Sequence, residues 1–331
     1  MAHSLKPTSS KSNPQPGSDA LAPGFGAAEH SRLAIVLAFA AVYVIWGSTY
    51  LAIRYAVETL PPLLMAGVRF IVAGAILTGI YGPRSTEKLT AAHWRRAGVV
   101  GVLLLLGGNG LVCWAELTVP SGLAALLVAT MPLWMATLDW AFFGGPRPSR
   151  AVVFGLLTGL GGVYILIGDV PLGGAGADLG GTIALLCACV FWTVGSLIAR
   201  RGGLPKSTLL ATGMEMLVGG AALVAAGLVM GEAARVNLAA VSWQSWVAWT
   251  YLIVFGSLLG FTAYVYLLKA TTPSKVATYA YVNPAIAVAL GAAFGDGELS
   301  PRVVAAAAII LASVVLILRS ARPADKKQAE T

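Results

Sequence analysis

The chain has 331 residues, of which 57% are hydrophobic and 11% are charged, and its mean hydropathy is +0.80. Soluble domains average roughly 25% charged residues, so this composition excludes an ordinary soluble protein and predicts a chain surrounded by lipid. The formal net charge is +8, but the basic residues are scattered over short segments and form no basic face with aromatic platforms, which argues against a nucleic-acid partner.

The first segment, residues 1–31, is rich in Pro, Ser and Gly. It has too little apolar surface to order itself, so we predict a disordered cytoplasmic tail. No short apolar core with a cleavage site precedes the first long apolar run, so a signal peptide is not expected.

The rest of the chain is dominated by apolar runs of about 20 residues, the length with which an α-helix crosses about 30 Å of hydrocarbon. Short connections rich in Pro and Gly separate the runs. We therefore predict an all-α membrane protein with ten transmembrane helices, at Leu33–Arg54, Pro62–Tyr81, Arg95–Ala115, Ser121–Phe143, Arg150–Gly168, Asp178–Arg200, Ser207–Met230, Trp243–Leu268, Ser274–Phe294 and Pro301–Arg319.

The basic residues predict the orientation, because short cytoplasmic loops hold the excess of Lys and Arg. With the amino terminus inside, most of the 22 basic residues fall on the inner side. Arg54, Arg235 and Arg302 fall on the outer side, and Arg69 lies within a span. We predict a multi-pass protein of the bacterial inner membrane with both termini cytoplasmic and residues 320–331 as a second tail.

An internal repeat divides the chain. The shift that places Trp46 on Trp192 also places Arg54 on Arg200, and it aligns LLMAGVRFIVAGA from Leu63 with LLATGMEMLVGGA from Leu209 without a gap. Residues 32–168 and 169–319 are therefore predicted to be two repeats of five spans. An odd number of spans inverts the second copy, which is a recurring plan of secondary transporters.

Four segments resemble the EamA family of the drug/metabolite transporter superfamily. They are VYVIWGSTYLAIRYAVETLPPLLMAGVRF from Val42, NGLVCWAE from Asn109, PSGLAALLVATMPLW from Pro120 and ATYAYVNPAIAVALG from Ala277. The resemblance implies ten helices in two inverted halves, a central cavity lined mainly by spans 1, 3, 4, 6, 8 and 9, and export of amino acids or other metabolites. Such motifs identify the fold better than the substrate.

The sequence argues against an enzyme. Its histidines, His3, His30 and His93, lie in the tail or a cytoplasmic loop, so none is expected to act as a buried base or metal ligand. We expect no cofactor and no metal. The cysteines at 113, 187 and 189 lie within spans, where a thiol is a packing residue by default.

Two charges within the predicted helices need a role, since a charge in mid-membrane costs about 2.5–3.5 kcal/mol on insertion scales. Arg69 and Glu215 occupy equivalent positions of the two repeats. The repeat also relates Glu116 to Lys269. We predict two ion pairs, Arg69 with Glu116 and Glu215 with Lys269, which either clamp neighbouring helices or gate and bind a zwitterion.

A substrate cavity is predicted from aromatic and amide residues on the central spans, since indole and phenol rings offer an apolar face with one polar edge. Each ring has an anchoring or core role as its alternative. The candidates are Trp46, Tyr50, Asn109, Trp114, Trp134, Trp192, Tyr264, Tyr279, Tyr281 and Asn283. Helix breaks or hinges are predicted at Gly107, Gly108, Gly110, Pro132 and Pro284.

These residues predict an exporter of small neutral or zwitterionic amphipathic metabolites, such as aromatic amino acids, that works by alternating access. Multidrug or cationic-compound efflux, a non-transporting sensor or scaffold, and a channel are the alternatives. A phosphate-bearing substrate is disfavoured because Arg69 is the one cation predicted to face the cavity. The expected partners are a small-molecule substrate and the lipid bilayer, and a monomer would suffice.

Overall fold

The computed structural model describes residue 1 and residues 31–115, 119, 127–167, 179–293 and 301–320. The described residues contain helices and no strand. The main helices are α1 (Arg32–Val57), α2 (Pro62–Tyr81), α3 (Ala91–Ala115), α4 (Met131–Phe142), α5 (Arg150–Ile167), α6 (Leu179–Arg200), α7 (Thr208–Val229), α8 (Trp243–Ala270), α9 (Tyr279–Ala293) and α10 (Pro301–Ser320). Each overlaps one predicted span.

Six of these helices are long and apolar enough to cross a membrane, judged on the described residues alone. They are α1, α2, α3, α6, α7 and α8. The helices α5 and α10 contribute shorter apolar stretches at Arg150–Ile165 and Val304–Arg319. The chain is therefore a helical membrane protein, and the number of crossings, the sides of the termini and the inverted repeat remain predictions.

Two of the long helices change their hydrogen-bonding pattern near the middle. In α3 the segment Val102–Gly110 is a π-helix, and in α8 the segment Leu252–Phe261 is a π-helix. Gly107, Gly108 and Gly110, where a helix break was predicted, lie in the first of these segments. A π-helix is rare and frequently lies at a functional site, so the two segments mark the middle of α3 and of α8 as candidate site regions.

The predicted break at Pro284 is corrected by the structure. Pro284 lies inside α9, which continues on both sides of it. The interruption of this span lies earlier, at Ala277 and Thr278, between the one-turn helix Pro273–Val276 and α9. Proline removes one backbone donor, and the remaining hydrogen bonds of α9 are sufficient to carry the helix through it. Pro132 lies in the first turn of α4, a position where proline is tolerated.

Helices at equivalent positions of the predicted repeats pack in pairs. The helix α2 packs along α7 and α5 packs along α10, while α1 contacts α8 and α9, and α6 contacts α3 and α4. Gly67 of α2 faces Gly220 of α7, and Gly74 faces Gly213, so the two helices run antiparallel. A Cβ atom on Gly67 would lie 2.9 Å from the carbonyl oxygen of Gly220, and one on Gly74 would lie 2.8 Å from that of Gly213. Small residues at both crossings are therefore what lets these backbones touch.

The connection between α7 and α8 holds the start of α2. It contains the 3₁₀ helices Glu232–Arg235 and Leu238–Ala240. The buried Glu232 carboxylate accepts hydrogen bonds from the backbone amides of Leu63 at 3.2 Å and Leu64 at 2.8 Å. These amides have no partner within the helix, and a carboxylate also complements the positive end of the helix dipole.

Candidate functional site

Five aromatic side chains meet where α1, α6, α8 and α9 converge. We call Trp46, Trp192, Phe261, Tyr264 and Tyr279 the aromatic cluster. The Trp46 ring centroid lies 5.7 Å from that of Trp192, 5.0 Å from that of Tyr264 and 5.0 Å from that of Tyr279. Trp46 and Trp192 meet edge to face, as do Trp46 and Tyr279, which is a favoured geometry for ring pairs. Four of the predicted cavity residues are thus brought together.

The polar edges of the cluster are all engaged. The Trp192 indole Nε1 donates to the Tyr264 hydroxyl at 2.8 Å, and the Ser196 hydroxyl lies 2.5 Å from the same oxygen. The Trp46 Nε1 donates to the carbonyl of Gly256 at 3.2 Å, within the π-helix of α8. Because a buried donor without a partner is costly, these bonds fix the orientation of the rings.

Each of the two tryptophans lies against a glycine of a π-helix. A Cβ atom on Gly260 would lie 2.6 Å from Trp46 Nε1, and a Cβ atom on Gly108 would lie 2.6 Å from Trp192 Cε3. Gly108 belongs to the π-helix of α3 and Gly260 to that of α8. The same contact therefore occurs in both predicted repeats, with the helices exchanged.

The remaining predicted cavity residues lie around the cluster or apart from it. The Asn283 side chain is buried. With its amide nitrogen assigned to face the two nearby acceptors, it donates to the backbone oxygens of Tyr43 at 3.3 Å and Tyr279 at 3.1 Å. The Tyr279 hydroxyl donates to Met131 Sδ at 3.0 Å, which connects the cluster to α4. Trp134 donates from Nε1 to Thr130 Oγ1 at 3.2 Å, within its own helix.

Three predicted cavity residues do not join the cluster. The Tyr281 hydroxyl donates to the carbonyl of Leu156 at 3.0 Å, so this ring packs toward α5. Asn109 accepts a contact of 3.8 Å from the Cys113 thiol one turn later. Trp114 is exposed. The side chain of Tyr50 lies outside the described part of the chain.

The predicted ion pairs are not found between described residues. Lys269 is exposed and its Nζ donates to Thr208 Oγ1 at 3.1 Å, whereas Glu215 is fully buried and neither carboxyl oxygen has a hydrogen-bond partner among the described residues. Glu215 and Lys269 therefore form no direct ion pair within 4.0 Å, but the two groups are near enough to act on each other electrostatically, so their pairing stays a prediction. Arg69 is buried with its guanidinium carbon 4.2 Å from the ring centroid of its neighbour Phe70, and Glu116 lies outside the described residues.

A cavity of about 340 Å³ lies where α4, α6 and α8 end. We call it the helix-end cavity, and its described lining residues are Asp139, Phe143, Leu197, Arg200, Arg201 and Lys269. Sequence reasoning identified only Lys269 among them. The other residues stand near the ends of separate helices, and nothing in the spacing of one helix indicates that these ends converge.

The opposite end of α8 is closed against α1 and α2. The Trp249 indole donates to the carbonyl of Met65 at 3.1 Å, and the Ser245 hydroxyl donates to that of Tyr55 at 2.6 Å. The Ser48 hydroxyl and the Tyr251 hydroxyl lie 2.6 Å apart. The bundle therefore has tightly bonded helices at the start of α8 and a cavity at its end.

Among the described residues, no group of three or more His, Cys, Asp or Glu side chains is arranged to hold a metal ion. The aromatic cluster also contains no nucleophile paired with a base. Its hydroxyl and indole groups are already hydrogen-bonded within the protein, so the groups it offers are the ring faces of the partly buried Trp46 and Trp192, which suit a small amphipathic molecule.

The EamA-like transporter family matches residues 32–168 and residues 179–319. The chain is 38% identical over 279 residues to the "Uncharacterized inner membrane transporter YedA" of Escherichia coli strain K12, an alignment that covers 84% of this chain and 88% of YedA. It is 25% identical over 289 residues to the "Uncharacterized transporter YvbV" of Bacillus subtilis, covering 87% and 92% of the two chains. A protein crystal structure superposes with a TM-score of 0.73 at 22% identity, over 91% of this chain and all of the other, and this shows a shared fold.

Proposed function

Because the chain belongs to the EamA-like transporter family, we propose that it is an inner-membrane carrier that exports small neutral or zwitterionic amphipathic metabolites, aromatic amino acids among them. The observation that carries this proposal is the aromatic cluster. Its rings come from α1, α6, α8 and α9. The Trp192 indole and the Tyr264 hydroxyl bond each other, and the partly buried faces of Trp46 and Trp192 are the surface that remains. An amphipathic solute with an aromatic or branched side chain matches these surfaces.

We propose alternating access between two inverted five-helix repeats, residues 32–168 and 169–319, with both termini in the cytoplasm. The antiparallel packing of α2 on α7 supports this arrangement, as do the paired contacts of Trp46 with Gly260 and Trp192 with Gly108. Substrate sites of inverted-repeat carriers lie near the midplane at the repeat interface. With the positive-inside orientation, the helix-end cavity is at the cytoplasmic end and the bonded contacts between α1 and α8 are at the outer end.

A cationic substrate is the second candidate, and Glu215 favours it. This carboxyl group is fully buried without a described hydrogen-bond partner, and a buried carboxylate is stabilised by an approaching cation.

Flux into proteoliposomes tests both candidates. The purified protein is reconstituted, and saturable uptake of radiolabelled L-phenylalanine, L-leucine and a lipophilic cation is measured with and without an imposed pH gradient. We expect saturable phenylalanine uptake that falls at least tenfold in Trp46→Ala and remains in Trp243→Ala, a substitution of a 69% exposed tryptophan. Uptake of the cation alone assigns the second function. No uptake of any of the three above empty liposomes contradicts both, and a sensor or scaffold then takes their place.

A further inference from the structure

The helix-end cavity carries an unusual set of charges for the end of a membrane bundle. One carboxylate, Asp139, shares it with three cations, Arg200, Arg201 and Lys269. Two apolar side chains, Phe143 and Leu197, complete its described lining. The cavity thus presents both signs of charge beside a small apolar surface.

Helix electrostatics explain two of these residues and leave one unexplained. Arg200 and Lys269 lie in the last turns of α6 and α8, where a cation is favoured by the helix dipole by about 0.3–1 kcal/mol. Asp139 lies in the last turn of α4, where the same dipole disfavours a carboxylate. A purely structural account therefore predicts a neutral or basic residue at position 139.

Asp139 is also held without a direct ionic partner. It is 8% exposed, and no described cation lies within 4.0 Å of its carboxyl oxygens, although Arg200 and Arg201 are near enough to act on it electrostatically. The chain after α4 folds over it, since the Gly145 amide donates to the Asp139 backbone oxygen at 2.9 Å and a Cβ on Gly145 would lie 2.4 Å from the carboxyl group. Arg201 lies over Phe143, with its guanidinium carbon 4.7 Å from the ring centroid. Asp139 and Arg201 therefore line the same cavity without a direct ion pair.

The cavity lies on the helices that also carry the aromatic cluster. Leu197 follows Trp192 on α6, and Lys269 follows Tyr264 on α8, by five residues in each case. At 1.5 Å per residue this is about 7.5 Å along each helix. A small solute in the cavity is therefore within about one amino-acid length of the cluster.

We propose that the helix-end cavity is a binding site for the zwitterionic head of an amino acid, with the ammonium group on Asp139 and the carboxylate on Arg200 and Arg201. This rests on the proposed function, because it supplies the entry site for the same substrate. A phosphate or another dianion would pair with the cations but leave Asp139 without a partner, whereas an amino-acid head engages both signs of charge. The other source of the same anionic chemistry is a lipid headgroup, and the experiment separates the two.

The test compares three probes that share a phenylethyl skeleton and carry both charged groups, the carboxylate alone or the ammonium group alone. Equilibrium binding of L-phenylalanine, 3-phenylpropionate and phenethylamine is measured with the full chain in phosphatidylcholine nanodiscs, with and without added phosphatidylglycerol. Asp139→Asn should weaken the binding of phenylalanine and phenethylamine by about tenfold, equivalent to about 1.4 kcal/mol. It should strengthen the binding of phenylpropionate. The double variant Arg200→Gln/Arg201→Gln should weaken the binding of phenylalanine and phenylpropionate. Its affinity for phenethylamine should be unchanged or higher.

The matched control is Arg95→Gln, which removes an exposed arginine outside the cavity and should leave all three affinities at the wild-type value. If a cavity variant changes the affinities for all three probes by one common factor, or changes none of them, the proposed site is overturned. Displacement of phenylalanine by phosphatidylglycerol assigns the arginines to a lipid headgroup and also overturns it. Binding with the expected charge pattern but without flux overturns the proposed transport function and supports the binding site. Saturable flux that is unchanged in the Asp139 and Arg200/Arg201 variants supports the transport function and overturns the binding site.

Discussion

Replacing Gly260 by alanine tests whether the contact between α1 and α8 requires a residue without a Cβ atom at this position. The new Cβ would lie 2.6 Å from Trp46 Nε1 and 2.9 Å from Trp46 Cδ1. Ordinary carbon contacts begin near 3.5 Å, so the indole has to move by roughly 1 Å. Overpacking of this kind costs about 2 kcal/mol, and loss of the hydrogen bond from Trp46 to Gly256 adds about 1 kcal/mol.

We therefore expect Gly260→Ala to lower the free energy of unfolding by about 3 kcal/mol and the Tm in detergent by about 5 °C. Phenylalanine binding should weaken by at least tenfold, because the displaced ring belongs to the aromatic cluster. A smaller ring should relieve the clash, so the double variant Trp46→Phe/Gly260→Ala should be more stable than the sum of the two single changes predicts.

The control is Gly79→Ala on α2, where an added Cβ meets no atom within 4 Å. This substitution should leave stability unchanged or raise it slightly, because alanine is the better helix former. If Gly260→Ala and Gly79→Ala have the same Tm and the same affinity, the contact between Trp46 and Gly260 has no energetic role and the reasoning is refuted.

Three further changes have defined outcomes. Glu232→Ala removes two hydrogen bonds to the first amides of α2, so we expect thermal unfolding to show a free energy of unfolding lower by about 2 kcal/mol. The control is Glu58→Gln at an exposed site, and equal stability of the two variants would contradict the prediction. Tyr264→Phe leaves the Trp192 indole without its acceptor, so it should lower Tm by an amount equivalent to about 1–3 kcal/mol and shift tryptophan fluorescence; an unchanged spectrum would argue against the bond. In a background lacking cysteine, Ser149→Cys should react with an impermeant maleimide only from the cytoplasmic side and Asn237→Cys only from outside, and the opposite pattern reverses the predicted topology.

The positions of the helices could be predicted well because lipid imposes a length and a polarity on each crossing. Every predicted span overlaps a helix, and Trp46 and Trp192, matched across the repeat, lie within contact distance. The interruption at Ala277 and Thr278 could not be anticipated in the same way. Pro284 is the stronger breaker in the sequence, yet tertiary packing around α9 accommodates it.

The composition of the candidate site was harder to predict. Phe261 completes the aromatic cluster, but in the sequence it is one apolar residue in a uniformly apolar run, so its role depends on the rotation of α8. Asp139 was missed because its importance comes from Arg200 and Arg201, which belong to another helix. Equivalence under the repeat places Lys269 near enough to act electrostatically on Glu215, but it does not fix the direction of a long lysine side chain, which bonds to Thr208 instead of the carboxyl group.

The glycine crossing of α2 and α7 has a consequence for motion. The backbones approach each other at Gly67 with Gly220 and at Gly74 with Gly213, where an added Cβ atom would lie under 3.0 Å from the facing carbonyl oxygen. Sliding either helix along the other would bring a larger residue against the facing backbone at these crossings, which close packing disfavours. Rotation about the crossing keeps both contacts. Under the alternating access proposed above, this pair of helices would serve as a pivot on which the two predicted repeats rotate rather than slide past each other.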